Sequence, residues 1–301
     1  MKKINIIFFL ILAMAVMACK QDTDGETPEQ KTAREQKEAE QLEKMKELVK
    51  DQVAEATKPK PETDEEKAKR EEAETKAFQE RVGNELTRRE NEVALNALKK
   101  ERDDYKTKLS TTKKTYDGTA SGQKKAITIP EHVTAVKETD LDSIYSGLGY
   151  DNSTIGKLQE VITTLGITSS NQSAKAEEIK FASGALELLK SLGEDTNKVL
   201  NEYLGDAGLE KIKNDKKQIE KAKTALKAFT DSRDSLITAI NNQIGTAQGN
   251  KGTLDTMKTD LEKISDNPST DVTTSGQKGY YWTTYKKSIQ AKAKEIADLV
   301  K

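Results

Sequence analysis

Cysteine and histidine each occur once in these 301 residues, as Cys19 and His132. A lone thiol excludes an internal disulfide, and one thiol with one imidazole cannot supply the four Cys and His ligands of a structural zinc site. Aromatic residues make up only 5% of the chain, with a single Trp, and without cysteine pairs its stability has to come from packing and helix content. Strand-like alternation of useful length is missing. So are a Walker-type loop, a dinucleotide-binding glycine cluster and a Gly-x-Ser-x-Gly elbow. No enzyme, cofactor or metal is therefore expected. His132, just after Pro130, is read as a surface or helix-start residue. Neither sign of charge is in excess: 50 Lys and Arg face 51 Asp and Glu, a formal net charge of −1, which argues against nucleic acid as a partner.

What is present begins with the stretch around the cysteine, "NIIFFLILAMAVMACKQDTDGE". Lys2 and Lys3 form a charged start, and Ile6 to Ala18 form an apolar run that ends directly at Cys19. As a helix that run would span about 20 Å, short of the roughly 30 Å hydrocarbon core of a bilayer, so it reads as a leader rather than a membrane span. Val16-Met17-Ala18-Cys19 resembles a bacterial lipobox. That resemblance implies cleavage before Cys19, a thioether-linked diacylglycerol on its sulfur and an acylated amino terminus. Two or three chains, at about 0.8 kcal/mol per buried methylene, hold a protein on a bilayer where one does not. Residues 1–18 are expected to be a signal peptide, with Cys19 the lipidated residue.

Residues 19–67 are expected to form a flexible, charged tether and 68–301 an all-helical domain. The tether carries a thin stripe, Leu42, Met45, Leu48, Val49 and Val53, before Pro59 and Pro61 break the pattern. A second charged helical run extends from about Thr63 to Tyr116, with Phe78, Val82, Leu86, Val93, Leu98, Tyr105 and Leu109 as its apolar residues. A loop follows from Asp117 to Pro130. Ile155, Leu158, Ile162 and Leu165 mark a helix that Asp151 or Ser153 caps and Gly166 ends. Phe181, Ala185, Leu188 and Leu192 mark another, up to Gly193, and Val199 to Leu204 a third, up to Gly205. The clearest periodicity runs from Asp215 to Ile244, where Arg233 takes a seam position between Phe229 and Leu236. A cation there needs a carboxylate or carbonyl partner, or an exit along its aliphatic stem. Leu254 to Ile264 form a shorter helix. The final one carries Tyr285, Ile289, Ala293, Ile296 and Val300 on one side, after the aromatic patch "YYWTTY", in which Trp282 is expected to pack inward. The fold class is all-α, a helical bundle behind a charged tether.

"LDSIYSGLGYDNSTIGKLQEVITTL" from Leu141, "VLNEYLGDAGLEKIKND" from Val199 and "LKAFTDSRDSLITAI" from Leu226 resemble successive helices of a Borrelia surface-lipoprotein family that includes the complement regulator-acquiring surface proteins. The resemblance is one of helix pattern with a few specific positions, such as Gly149-Tyr150-Asp151 and Arg233. The resemblance implies a lipid-anchored, surface-exposed protein of the outer membrane, with an all-helical domain that binds a host serum protein such as factor H or another complement component in immune evasion. It also implies a homodimer through the C-terminal helix, Tyr285 to Lys301. Two other readings stand beside it: an adhesin for plasminogen or extracellular matrix, which a Lys-rich surface and the terminal Lys301 would serve, and an inward-facing structural lipoprotein of the periplasm.

Overall fold

The computed structural model describes residues 63–301 except 169, 171 and 172, and among these all regular structure is helical. The expected leader, Cys19 and the stripe from Leu42 to Val53 lie outside the described residues. The elements are α1 (Asp64–Asp117), α2 (Leu141–Gly147), α3 (Asn152–Thr164), α4 (Ala176–Asn197), α5 (Asp206–Ile212), α6 (Lys216–Gly249), α7 (Leu254–Ser265), α8 (Tyr280–Thr284) and α9 (Ala291–Leu299). A π-turn, Lys198–Tyr203, continues α4, and another, Tyr285–Gln290, joins α8 to α9. The chain divides between Ala77 and Phe78, inside α1. The tether boundary read from the sequence, after Lys67, also falls inside this helix.

Before the division, α1 opens on a capping box: the Thr63 hydroxyl accepts from the Glu66 amide, and the Glu66 carboxylate accepts from the Thr63 amide at 3.1 Å. The bond from the Thr63 amide, and next the Thr63 hydroxyl donating to the same carboxylate at 2.9 Å, hold the Glu66 carboxyl below its ordinary value. Lys69 and Glu65 pair on the exposed surface one turn further on.

After the division the core is aliphatic, as the scarcity of aromatics requires. Leu98, Ile144, Leu158, Leu186, Leu188, Leu189, Leu192, Leu226 and Ile240 are buried, most of them completely. α4 is the spine. It packs against α2 and α7, while α6 packs against α3, α7 and α9. Local chemistry sets how several helices begin and end, at Asp151 and Gly166 as the sequence indicates and at Asp215 in addition. Asp151 caps α3 by accepting from the Thr154 amide at 2.6 Å, Asp215 caps α6 by accepting from the Gln218 amide at 3.0 Å, and Gly166 takes the left-handed turn (φ 65°) after α3.

Gly193 does not end a helix. α4 runs through it, and the runs around Phe181 and Val199 form one rod with the π-turn. A Cβ on Gly193 would stand 2.1 Å from the Ser143 carbonyl oxygen, and one on Gly147 would stand 2.2 Å from that of Leu189. These two glycines let α2 and α4 touch backbone to backbone. The loop after α1 is helix-free, but Ile127, Val133 and Val136 in it are buried. Side chains of the bundle satisfy its amides: the Tyr145 hydroxyl accepts from Ile127 at 3.0 Å, and Asn152 Oδ1 from Lys125 at 2.7 Å. The aromatic patch starts the last helical rod rather than preceding it. Trp282 and Tyr281 are buried, Tyr280 is half-buried, and the Tyr285 hydroxyl donates to Asp195 at 2.6 Å.

Candidate functional site

α1 and α6 lie side by side in parallel. Lys216 reaches Glu90 at 3.1 Å and Lys108 reaches Asp234 at 2.6 Å, and in both pairs the partners are 126 residues apart. Between these pairs the facing side of α1 presents Asn91, Leu98, Arg102 and Tyr105, all buried. The Arg102 guanidinium donates to the Leu204 carbonyl at 2.6 Å, satisfying an acceptor at the end of the first π-turn.

Arg233 sits at the junction of four helices and is 1% exposed. Its Nε donates to the Thr196 hydroxyl (2.7 Å), its Nη1 to the Tyr105 hydroxyl (3.0 Å) and its Nη2 to the Ser146 carbonyl (2.8 Å). The carbonyl partner expected for this seam cation is therefore present. A carboxylate reaches it only indirectly: Asp234 Oδ1 is 3.6 Å from Nη1, and the Tyr105 hydroxyl bridges the two by donating to that oxygen at 2.7 Å. Burial pushes the Tyr105 phenol well above its ordinary pKa, against the pull of Arg233 and with help from Asp234, so it keeps the proton it donates.

Above this junction runs a polar groove of about 780 Å³, lined by Lys106, Ser110 and Lys113 from α1, Ser143 and Ser146 from α2, and Thr196 from α4. Its far end abuts a tyrosine cluster. The Tyr116 ring centroid is 5.3 Å from that of Tyr145 and 6.1 Å from that of Tyr150, with Lys113 over Tyr150 at 5.0 Å. Gly149 and Tyr150 both take left-handed backbone (φ 65° and 56°), turning the chain so that Tyr150 joins the cluster and Asp151 starts α3. Those three positions and Arg233 therefore serve one neighbourhood.

The other side of α1 is different. At about 100° per residue, Val82, Leu86 and Val93 share a narrow arc about 130° around the helix from Leu98 and Tyr105. Leu86 is 52% and Val93 68% exposed, and they are the two large apolar side chains left exposed among the described residues. The charges beside them are already matched. Glu85 accepts from Arg88 at 2.8 Å and from Arg89 at 2.9 Å, and Arg88 also meets Glu92 at 3.2 Å. The Arg88 and Arg89 hydrogen bonds hold the Glu85 carboxyl down at about 2.

Of the residues singled out from sequence, Cys19 lies outside the described residues. His132 is half-buried in a turn rather than at a helix start. Arg233 is placed at the junction, but Tyr105, Ser146 and Thr196 gave no sequence signal beyond their helical positions. Lys301 pairs with Asp298, and the apolar side of the last rod, Ile289, Ala293 and Ile296, is buried within the chain's own bundle. Among the described residues no cluster of three metal-ligating side chains occurs, and no helix is long and apolar enough to cross a membrane. No family model matches the chain, and neither a curated protein nor a solved structure matches it.

Proposed function

We propose that this is a lipid-anchored surface protein of the Borrelia type that binds a host serum protein, foremost a complement regulator or component. The anchor is Cys19 behind its leader, and the bundle is the binding body. The observation that carries the reading is the exposed pair Leu86 and Val93 on a helix whose neighbouring charges are paired with one another. Docking there removes apolar surface from water without stripping an unpaired charge of its hydration, which is what a protein contact needs and what a catalytic site does not. Both side chains are already partly covered, so completing their burial contributes about 1–2 kcal/mol each, enough to act as anchors within a wider interface.

Surface plasmon resonance of the mature chain against factor H and the major complement components tests this. Binding to one of them, lost in the double variant Leu86→Glu, Val93→Glu, is the expected result; no binding to any of them contradicts the complement reading. Protease treatment of intact cells separates an outward-facing protein, which is degraded, from a periplasmic one, which survives. For the plasminogen alternative, which a Lys-rich surface and Lys301 would serve, plasminogen binding unchanged on removal of Lys301 counts against its lysine-dependent form.

A further inference from the structure

The polar junction and the groove beside it have a role that partner binding on the outer face of α1 does not use. The segment of α1 from Leu95 to Lys113 is attached to the bundle mainly through charge-assisted hydrogen bonds. Arg102 reaches the Leu204 carbonyl, Tyr105 reaches Arg233 and Asp234, Lys108 reaches Asp234, and Lys113 reaches Asp142 at 2.5 Å. Leu98 is the one aliphatic side chain on this stretch that is fully buried; Leu95 and Leu109 are half-covered. The contact between α2 and α4 is of another kind, with backbones touching through glycine. The end of α1 is fixed more firmly. Tyr116 is 3% exposed, stacks near Tyr145 and Tyr150, and donates to the Lys125 carbonyl at 2.7 Å.

From this geometry we infer that the stretch of α1 from Phe78 to Thr115 is a strap that swings off the bundle as a unit, pivoting at the tyrosine cluster and latched at Tyr105. Leaving Arg233 buried and unpaired would forbid such a motion. Asp234 removes that obstacle. Its Oδ1 already stands 3.6 Å from Arg233 Nη1, and departure of Tyr105 and Lys108 frees both its oxygens to close on the guanidinium. Thr196 and Ser146 stay behind with Arg233, since neither belongs to α1. The bundle thus holds a replacement counter-charge for the open state, the property a two-state element requires. Opening widens the groove and uncovers Leu98, Leu109 and Leu200, adding an apolar strip to the surface.

Hydrogen exchange by mass spectrometry on the full mature chain tests the strap. Peptides covering residues 95–112 are expected to exchange faster than those covering 181–192 in α4, and Tyr105→Phe is expected to speed the former about tenfold while leaving the latter unchanged, the size of one lost charge-assisted hydrogen bond. Lys108→Asp, which sets a carboxylate against Asp234, should act in the same direction. Equal rates for the two regions in the wild type, or an equal rise in both on Tyr105→Phe, would mean that α1 leaves only when the whole bundle unfolds, and the strap would be refuted.

Discussion

α1 and α4 are both long helices of one chain, yet they are stabilised in opposite ways. α4 buries Phe181, Ala185, Leu188, Leu189 and Leu192 and meets its neighbours closely enough that Gly184 and Gly193 admit no side chain. The stretch of α1 from Phe78 to Leu95 buries only Asn91 and is held by Glu–Arg pairs one turn apart along its own surface. A helix of the first kind is made by its surroundings. One of the second kind is made largely by itself, and its outer face stays available for contact.

Four measurements sharpen or break that contrast. The largest effect is expected at the glycine contacts: Gly193→Val, whose Cβ would meet the Ser143 carbonyl, should cost about 3 kcal/mol or more in urea unfolding. Leu189→Ala, which empties a fully buried site in α4, should cost about 2–5 kcal/mol, whereas Leu86→Ala should change stability by less than about 0.5 kcal/mol. Equal costs at these two leucines would erase the distinction. Next comes Arg102→Met, which keeps the stem but removes the donor to Leu204, with about 1–2 kcal/mol expected in the same assay.

The smallest effect is at Glu85. Its carboxyl is held at about 2, below the ordinary 4.5, so its contribution is complete above pH 4.5 and is lost as pH falls toward 2. The group is half exposed, and solvent screening keeps the loss small. Circular dichroism of Glu85→Gln should therefore show a slightly weaker pH dependence than the wild type in that window and nearly the same helix content at neutral pH.

The sequence carried the helices well because their inner faces repeat at three and four residues and their ends use local chemistry. Asp151, Asp215 and Gly166 act within one turn of where they stand. The aliphatic seam of α6 and its odd Arg233 were equally visible, and the need of that cation for a carbonyl was met by Ser146. Contacts between helices left no such trace. Gly193 reads as a stop because glycine ends many helices, and only the approach of Ser143 explains its place inside one. Ile127, Val133 and Val136 lie in a segment without periodicity, so their burial depends on Tyr145, Asn152 and Gln159 from elsewhere in the chain. Helical phase alone divides the apolar residues from Val82 to Leu109 into separate arcs, but only the cover given by α6 tells which of them is the inner face.

The outer face matters only if the bundle is carried on a cell and turned toward host fluid, and that begins at Cys19. Mass spectrometry of the N-terminal peptide from protein extracted from its own cells tests this most directly. A chain that starts at Cys19 and bears diacylglyceryl and acyl groups is the expected result. An unmodified Cys19 thiol, or a chain that still carries residues 1–18, would contradict the account.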